Sequence, residues 1–267
     1  MENLKLKYGE WALITGASSG IGKEFAFRLA SQGINLILVA RRKDLLEKIS
    51  AILKLEYGIE VIIAAIDLSE NNFLEKLIES TGSKEVSILI NNAGIGRPGE
   101  YKNSDPEYES RMIKLNCLAP GVLTNYFGKK MIVKGKGAII FLGSIVAFQP
   151  TPLMATYSAT KAFNLYLGNA LWPELKKYGV DVLTVNPGNT STEFERMVLN
   201  DNSPLTRNAG QVVDTALRSL GKRPNIVDGL INKFLTLLSR LGPLRLIVAV
   251  TGLITRKLYR INFAENN

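Results

Sequence analysis

Short apolar runs alternate with amphipathic stretches along most of the chain. The runs are rich in Val, Ile and Leu at consecutive positions, and the stretches between them repeat apolar residues at helical spacing. Strands that are apolar on both faces and separated by helices are typical of a parallel sheet buried on both sides. The predicted fold class is therefore α/β, a three-layer doubly wound parallel sheet of about seven strands. The six clearest strands are residues 11–15, 34–40, 60–66, 86–90, 137–143 and 180–186.

Four intervening segments are predicted to be helices. Ser69 suits the N-cap of the second, and Asn116 lies in the middle of the third, where a short amide is a poor helix former. Two interpretations of Asn116 stay open, a satisfied buried amide or a bend that holds a carbonyl or water near an active site. The helices are residues 43–57, 69–80, about 106–133 and about 155–178.

Composition excludes several kinds of chemistry. The 267 residues are 46% hydrophobic and 21% charged, which fits one globular domain with a full core. The absence of histidine excludes Ser-His-Asp and Cys-His hydrolysis, and we predict no metal site. Cys117 is the single cysteine, so no internal disulfide forms, and the N-terminus lacks an apolar signal sequence. We expect a cytoplasmic protein.

A glycine-rich segment follows the first strand. Residues 16–22, "GASSGIG", connect residues 11–15 to a helical pattern that includes Phe25 and Leu29. Glycines at such a turn allow a backbone to approach a ligand, and the amides at the start of the helix favour a phosphate. A turn of small residues without a ligand is the alternative. Three glycines between a strand and a helix favour nucleotide binding.

Two arginines follow the second strand. A fold that prefers NAD often has an acidic residue here to hold the ribose 2′-hydroxyl, whereas Arg41 and Arg42 suit a 2′-phosphate. The alternative is that both simply begin the next helix on its solvated side. We favour NADP(H) as the cofactor.

A serine, a tyrosine and a lysine form the candidate proton-transfer group. Ser144 precedes Tyr157 by thirteen residues, and Lys161 follows Tyr157 by four, which places the last two on the same face of a predicted helix. A neighbouring ammonium favours the ionised form of a phenol. Such a pair also arises by chance on surface helices. The glycine-rich segment and the residue pairs at 41–42 and 67–68 all follow predicted strands, and ligands bind at the carboxyl ends of parallel strands.

Six motifs in order strongly resemble the short-chain dehydrogenase/reductase family. They are "TGASSGIG" at 15–22, "NNAG" at 91–94, Asn116, Ser144, the pair Tyr157 and Lys161, and "NPG" at 186–188. The resemblance covers residues from about 9 to 222. It implies one Rossmann-like domain with a nicotinamide cofactor. We divide the chain into a cofactor-binding and catalytic part, residues 1–224, and a helical extension of the same domain, residues 225–267.

The resemblance also implies a role for each motif residue. Tyr157 would donate a proton to a carbonyl during reduction, and Lys161 would hold the nicotinamide ribose and lower the pKa of Tyr157. Ser144 would bind the substrate oxygen, and Asn116 would hold a water. Asn91 would mainly brace the sheet. The implied cofactor-binding residues are Gly16, Ser18, Ser19, Gly20, Ile21, Gly22, Arg41, Arg42, Asp67, Leu68, Asn92, Ala93, Gly94, Tyr157, Lys161, Pro187, Gly188 and Thr190.

The chain departs from the family at two places. Gly143 replaces a serine found in many members, which predicts a smaller and less polar wall beside Ser144. The chain also continues for nearly forty residues after "NIVDG" at 225–229. This extension contains an apolar helical stripe, formed by Leu230, Ile231, Phe234, Leu235, Leu238 and Leu241.

The extension is also strongly basic. The whole chain has a net charge of +9, and residues 218–260 contain nine Lys and Arg against one acidic residue, which is +8. Its second apolar run, residues 246–254, is about half the length needed to span a bilayer. We keep three interpretations open: packing on the same domain or a second subunit, a cap over an apolar substrate pocket, and peripheral contact of residues 230–260 with an anionic membrane.

These observations predict an NADPH-dependent oxidoreductase that reduces a carbonyl to an alcohol, or the reverse. A loosely similar tail in membrane-associated hydroxysteroid and long-chain ketoacyl reductases favours a hydrophobic ketone or alcohol, with residues 192–208 as a lid. The alternative is a dinucleotide-binding scaffold or redox sensor with little turnover. The family implies a homodimer or homotetramer. Nucleic acid is not expected as a partner, because the basic segment lacks interleaved aromatic residues.

Overall fold

The chain folds around one parallel sheet. The structure, a computed structural model, describes residues 3–192 and 206–259. Seven strands pair in parallel in the order β3-β2-β1-β4-β5-β6-β9, and a second, two-stranded sheet joins β7 to β8. The strands are β1 Trp11–Thr15, β2 Asn35–Ala40, β3 Val61–Ala65, β4 Val86–Asn91, β5 Gly137–Leu142, β6 Val180–Asn186, β7 Thr190–Ser191, β8 Arg207–Asn208 and β9 Asn225–Val227.

Helices cover both faces of the sheet. Two apolar clusters form the core, one on each face, because successive strand side chains point in opposite directions. The described helices are α1 Leu4–Tyr8, α2 Gly20–Ala30, α3 Lys43–Tyr57, α4 Phe73–Thr81, α5 Pro106–Ile113, α6 Ala119–Lys134, α7 Ala155–Lys176, α8 Ala209–Ser219, α9 Leu230–Leu241 and α10 Leu244–Leu258. The predicted Rossmann-like α/β fold with additional C-terminal helices is confirmed.

Two predicted helix boundaries differ from the structure. The helix predicted from Ser69 begins at Phe73, with Asn72 at the N-cap. The Ser69 hydroxyl instead donates to the Asp67 carboxylate, 2.6 Å away, in a turn that delays the helix. The long helix predicted over 106–133 is interrupted by a π-helical turn at Lys114–Leu118, which contains Asn116. This turn separates α5 from α6 and bends the segment around that amide.

The edge strand β9 lies within residues that we assigned to the extension. It pairs with β6. Asp228, the residue that directly follows β9, is 0% exposed. Arg207 donates to both Asp228 carboxylate oxygens, at 2.8 and 3.1 Å, and the Thr215 hydroxyl donates to one of them at 2.8 Å. These bonds connect β8 and α8 to the start of α9.

We expect Asp228→Ala to lower the free energy of unfolding by about 3 kcal/mol, because it leaves the Arg207 guanidinium without its buried partner. Urea unfolding followed by circular dichroism measures the change. Glu70→Ala is the control, since it removes the exposed pair with Lys76 and should change stability by less than about 1 kcal/mol. Equal losses in the two variants would contradict this role for Asp228.

The two C-terminal helices expose apolar side chains and bury threonines. The six apolar residues of the predicted stripe on α9 are between 45% and 82% exposed, whereas the buried residue of that helix is Thr236. On α10, Thr255 is buried while Leu246 and Leu253 are exposed. The helical stripe is thus confirmed, and its apolar residues are exposed; packing on a second subunit, a cap over a substrate pocket and membrane contact stay predictions. No described helix is long and apolar enough to cross a membrane. Most of the predicted lid, at 193–205, lies outside the described residues.

Candidate active site

The glycine positions of the turn between β1 and α2 have no room for side chains. Gly16 and Gly20 adopt left-handed backbone angles, with φ of +66° and +54°. A Cβ on Gly22 would lie 2.3 Å from the Gly16 carbonyl oxygen, so the helix begins in direct contact with the turn. Ser19 is the N-cap of α2, but its side chain makes no capping hydrogen bond. The amide end of α2 is therefore suited to a phosphate group.

Arg42 lies against this turn. Its guanidinium donates to the Ser18 and Ser19 hydroxyls, each at 2.9 Å. The end of β2 is thereby joined to the predicted phosphate-binding segment. A guanidinium in this position can bind a phosphate on the adenosine ribose with two parallel hydrogen bonds.

Asp67 is held by two arginines at the end of β3. Arg111 on α5 donates to its carboxylate at 2.6 Å, and Arg41 lies 3.8 Å from the same oxygen. Burial alone would raise the pKa of Asp67, but hydrogen bonds from Ser69 and the Arg111 guanidinium outweigh it and hold the pKa below its usual value. Arg111 was missed by the sequence analysis, because it is 44 residues from Asp67 and belongs to no motif.

The segment after β4 packs against the glycine-rich turn. The Asn92 side chain donates to the Thr15 carbonyl at 2.8 Å, and the Ala93 amide donates to the Thr15 hydroxyl at 3.0 Å. Asn91 donates to the Thr124 hydroxyl at 3.0 Å, which ties β4 to α6. Asn91 thus braces the sheet, and Asn92 holds the glycine-rich turn. Leu68 is buried beside the end of β3.

Asn116 connects three segments near Tyr157 and Lys161. Its side-chain oxygen accepts from the Ile95 amide at 3.0 Å, and its amide group donates to the Ile95 carbonyl at 2.8 Å and the Thr160 hydroxyl at 3.0 Å. A Cβ on Gly94 would lie 3.2 Å from that oxygen and 3.5 Å from Lys161 Nζ. The π-helical turn therefore places Asn116 between the 94–96 loop and α7.

Three candidate residues come together where β5 ends and α7 begins. Ser144 follows β5, and Tyr157 and Lys161 lie in the first two turns of α7. Ser144 forms a hydrogen bond with the Tyr157 phenol. Lys161 Nζ lies 5.6 Å from the Tyr157 ring centroid and donates to the Leu142 carbonyl at 2.8 Å. Lys161 is buried, so its ammonium is held by the end of β5 rather than by solvent. This group can donate a proton to an oxygen bound beside Ser144.

A hydrogen bond joins the segments that follow β5 and β6, beside Ser144, Tyr157 and Lys161. The Ile145 amide donates to the Pro187 carbonyl at 3.0 Å, and the Thr190 hydroxyl donates to the Gly188 carbonyl at 3.0 Å. A Cβ on Gly143 would lie only 2.1 Å from the Asn186 side-chain oxygen. The glycine that replaces the common serine therefore makes room for Asn186.

Comparison with known proteins identifies this arrangement. The family model described as short chain dehydrogenase matches residues 10–203. The chain belongs to the short-chain dehydrogenase family. The resemblance found from the motifs is thereby confirmed.

Several members of the short-chain dehydrogenase family are similar over most of this chain. Very-long-chain 3-oxoacyl-CoA reductases from Pyrenophora tritici-repentis and Homo sapiens are 38% and 31% identical over 80% of it, which is 64% and 69% of their own lengths. The chain thus spans about two thirds of these relatives. A short-chain dehydrogenase from Sphingobium yanoikuyae in complex with NADPH is 32% identical, with a TM-score of 0.77 over 97% of this chain and 98% of that one. A 7β-hydroxysteroid dehydrogenase is 26% identical, with a TM-score of 0.88 over 93% and 99%.

The pKa of Tyr157 in this short-chain dehydrogenase is raised, whereas the sequence predicted that Lys161 would lower it. Burial raises the pKa of Tyr157 above its ordinary value, the neighbouring Tyr259 phenol adds to the rise, and the hydrogen bond with Ser144 opposes it. Burial lowers the pKa of Lys161 to about 8. The expected lowering of the Tyr157 pKa by Lys161 is therefore absent in this structure, because desolvation of the phenol dominates. Tyr157 is consequently protonated at neutral pH, the state that a proton donor requires.

Gly96 is a site residue to which the sequence analysis gave no role. A Cβ on Gly96 would lie 2.4 Å from Cδ2 and 2.8 Å from Cε2 of the Tyr157 ring. The backbone of the 94–96 loop thus packs directly on the Tyr157 ring and restricts its position. The sequence signal that could have identified Gly96 is its position in a glycine-containing loop after β4.

Proposed function

We propose that this short-chain dehydrogenase is an NADPH-dependent reductase that converts a carbonyl on a hydrophobic small molecule to an alcohol. The observation that carries the proposal is the hydrogen-bonded Ser144 and Tyr157 pair with Lys161 beside it. A protein that only binds a dinucleotide needs no proton donor. The intact group therefore favours an enzyme over a scaffold or redox sensor.

The cofactor residues fit a dinucleotide with a 2′-phosphate. The glycine-rich turn leaves space that a Cβ would fill, and Arg42 already contacts the two serines of that turn. When bound, NADPH supplies a hydride. Ser144 orients the substrate oxygen, Tyr157 gives its phenolic proton to that oxygen, and Lys161, whose Nζ lies 5.6 Å from the Tyr157 ring centroid, is proposed to hold the nicotinamide ribose. Pro187, Gly188 and Thr190 are proposed to line the nicotinamide end.

The substrate we propose is a 3-oxoacyl thioester or a similar apolar ketone. Support comes from the very-long-chain 3-oxoacyl-CoA reductases that are similar to this chain. The test is NADPH consumption with 3-oxoacyl-CoA substrates of increasing chain length. We expect kcat/KM to rise with acyl length, because each buried methylene contributes about 0.8 kcal/mol. If no ketone or thioester is reduced, the reductase proposal is wrong, and a dinucleotide-binding scaffold or redox sensor is favoured instead.

The cofactor preference gives a second test. We expect Arg42→Asp to reduce the ratio of NADPH to NADH affinity by about thirtyfold, because it replaces a charged hydrogen bond to phosphate with repulsion. Fluorescence titration with each cofactor measures the ratio. Lys43→Asp is the control, since Lys43 is an exposed neighbour that pairs with Glu47. Equal weakening of both cofactors by Arg42→Asp would reject the 2′-phosphate role.

We also propose that α9 and α10 lie on an anionic membrane surface. Their exposed apolar residues are accompanied by Lys233, Arg240, Arg245, Arg256 and Lys257, and neither helix contains an acidic residue. Solvent-facing leucines beside inward-facing threonines suit a lipid surface better than water. A cytoplasmic location and a homodimer or homotetramer remain predictions from sequence.

We expect the protein to float with vesicles that contain phosphatidylserine and to detach at high salt, because the basic residues contribute about 1 kcal/mol each near such a surface. Substitution of both Phe234 and Leu238 with Gln should reduce flotation at least about tenfold. Leu55→Gln is the control, since Leu55 is an exposed apolar residue, 87% exposed, that belongs to α3 and not to α9 or α10. Flotation that is absent, or unchanged by the double substitution, would contradict the membrane contact.

A further inference from the structure

Asn116 lies at a break in the helical hydrogen-bond pattern. In an α-helix the amide of residue 120 would donate to the Asn116 carbonyl, but that residue is Pro120, which has no amide hydrogen. The chain instead forms the π-helical turn Lys114–Leu118, and the Ala119 amide donates to the Lys114 carbonyl, five residues earlier. The carbonyl of Asn116, a residue that is 1% exposed, has therefore lost its ordinary helical donor.

Asn164 on α7 supplies a donor in its place. The Asn164 side-chain amide donates to the Asn116 carbonyl at 3.0 Å, and Asn164 itself is only 4% exposed. One helical turn earlier, the Thr160 hydroxyl accepts from the Asn116 side-chain amide at 3.0 Å. Two residues on the same face of α7 therefore hold Asn116, one by its main chain and the other by its side chain.

The hydrogen bond to Asn116 explains why a polar side chain is buried at position 164. The side-chain oxygen of Asn164 is buried and has no hydrogen-bond partner among the residues that the structure describes. A buried acceptor without a donor is destabilising, and a leucine of similar size would avoid that cost. A leucine would, however, leave the buried Asn116 carbonyl without the Asn164 amide. The amide is therefore explained by its single bond to Asn116.

A displacement of Asn116 would reach the Tyr157 ring through one loop. The Asn116 side chain accepts from the Ile95 amide at 3.0 Å and donates to the Ile95 carbonyl at 2.8 Å. The next residue, Gly96, packs on Tyr157, where a Cβ would lie 2.4 Å from the ring. The loop that restricts the Tyr157 ring is thus attached to Asn116, and Asn116 is attached to Asn164.

We infer that Asn164 is a positioning residue for the proposed reductase reaction. Its amide holds the Asn116 carbonyl outside the α-helical pattern, keeps the π-helical turn in place, and so fixes the 94–96 loop against Tyr157. The inference rests on the proposed reductase function. It adds to that site a residue that acts through Asn116 rather than on the reacting atoms.

Asn164→Leu removes the donor and keeps a side chain of similar size. We expect kcat for NADPH-dependent carbonyl reduction to fall about thirtyfold, while KM for the carbonyl substrate and NADPH affinity change less than about twofold. Asn164→Ala should show the same split, and it replaces the leucine variant if that variant does not fold. Asn169→Leu is the matched control on the same helix and should keep wild-type kcat, because it removes a 2.8 Å hydrogen bond from the Asn225 side chain and not one to Asn116.

The outcomes separate this inference from the function on which it rests. A wild type that reduces no carbonyl would refute the proposed function. An active wild type whose kcat is unchanged by both Asn164 substitutions would refute the inference alone.

Pro120→Ala distinguishes positioning from stability. It restores an amide hydrogen at residue 120, which can donate to the Asn116 carbonyl once Asn164 is replaced. When Pro120→Ala is combined with Asn164→Leu, we expect the melting temperature to recover most of its loss while kcat stays low, because the helical bond closes the π-helical turn and moves Asn116 away from Ile95. Pro120→Ala alone measures what the proline contributes by itself. Recovery of kcat together with the melting temperature, or recovery of neither, would overturn the inference.

Discussion

Tyr157→Phe should lower kcat for carbonyl reduction by about a thousandfold while NADPH affinity changes less than about twofold. The substitution removes the phenolic proton and leaves the ring in its contact with Gly96. Burial keeps the Tyr157 pKa above its ordinary value, so the wild-type group is a neutral donor over the whole neutral range. Lys161 and the glycine-rich turn stay in place to hold the cofactor.

Stopped-flow or steady-state NADPH consumption measures this loss, and fluorescence titration measures the cofactor affinity. Tyr101→Phe is the matched control, because Tyr101 is an exposed tyrosine on another element. If Tyr157→Phe kept more than about a tenth of wild-type turnover, the proton would come from another group. Lys161, whose pKa burial lowers to about 8, and solvent are then the candidates, because the chain has no histidine.

Gly96→Ala should reduce kcat by about a hundredfold. The added methyl would lie 2.4 Å from the Tyr157 ring, so the ring must move by about 1 Å, and displacements of that size cost about two orders of magnitude in rate. The side chain moves more easily than the backbone, so we expect little change in thermal stability. Gly99→Ala is the control, since a Cβ there meets no atom within 4 Å.

Comparison of kcat in the two glycine variants decides this prediction. A Gly96→Ala enzyme as active as Gly99→Ala would show that the Tyr157 ring is not held by the loop. A Gly96→Ala enzyme with a lowered melting temperature would mean that the loop moves in place of the ring.

The strands were predictable because a buried parallel strand is apolar at consecutive positions. β1 and β6 match their predicted bounds, and the other four differ by one residue at one or both ends. Helix α3 also matches. The start of α4 was wrong because Ser69 bonds to Asp67, a local competitor that propensity alone does not weigh against capping.

The parts of the site that escaped prediction depend on contacts between distant segments. Arg111 is far from Asp67 in sequence, and the contact of Gly96 with Tyr157 joins a loop after β4 to α7. The raised pKa of Tyr157 follows from burial, which spacing on a helix does not report. Amphipathic periodicity identified α9, but it did not indicate that the apolar face of this helix stays exposed while Thr236 is buried.

Transfer of deuterium to a 3-oxoacyl thioester from NADPH that carries deuterium at both C4 positions of the nicotinamide tests the central claim most directly. Mass spectrometry of the product after incubation with the wild-type enzyme would locate the label. The proposed reductase predicts one deuterium on the carbon that was the 3-oxo carbonyl, now a secondary alcohol, and none with Tyr157→Phe over the same time. An unlabelled alcohol, or no alcohol from any apolar ketone while NADPH still binds, would contradict it.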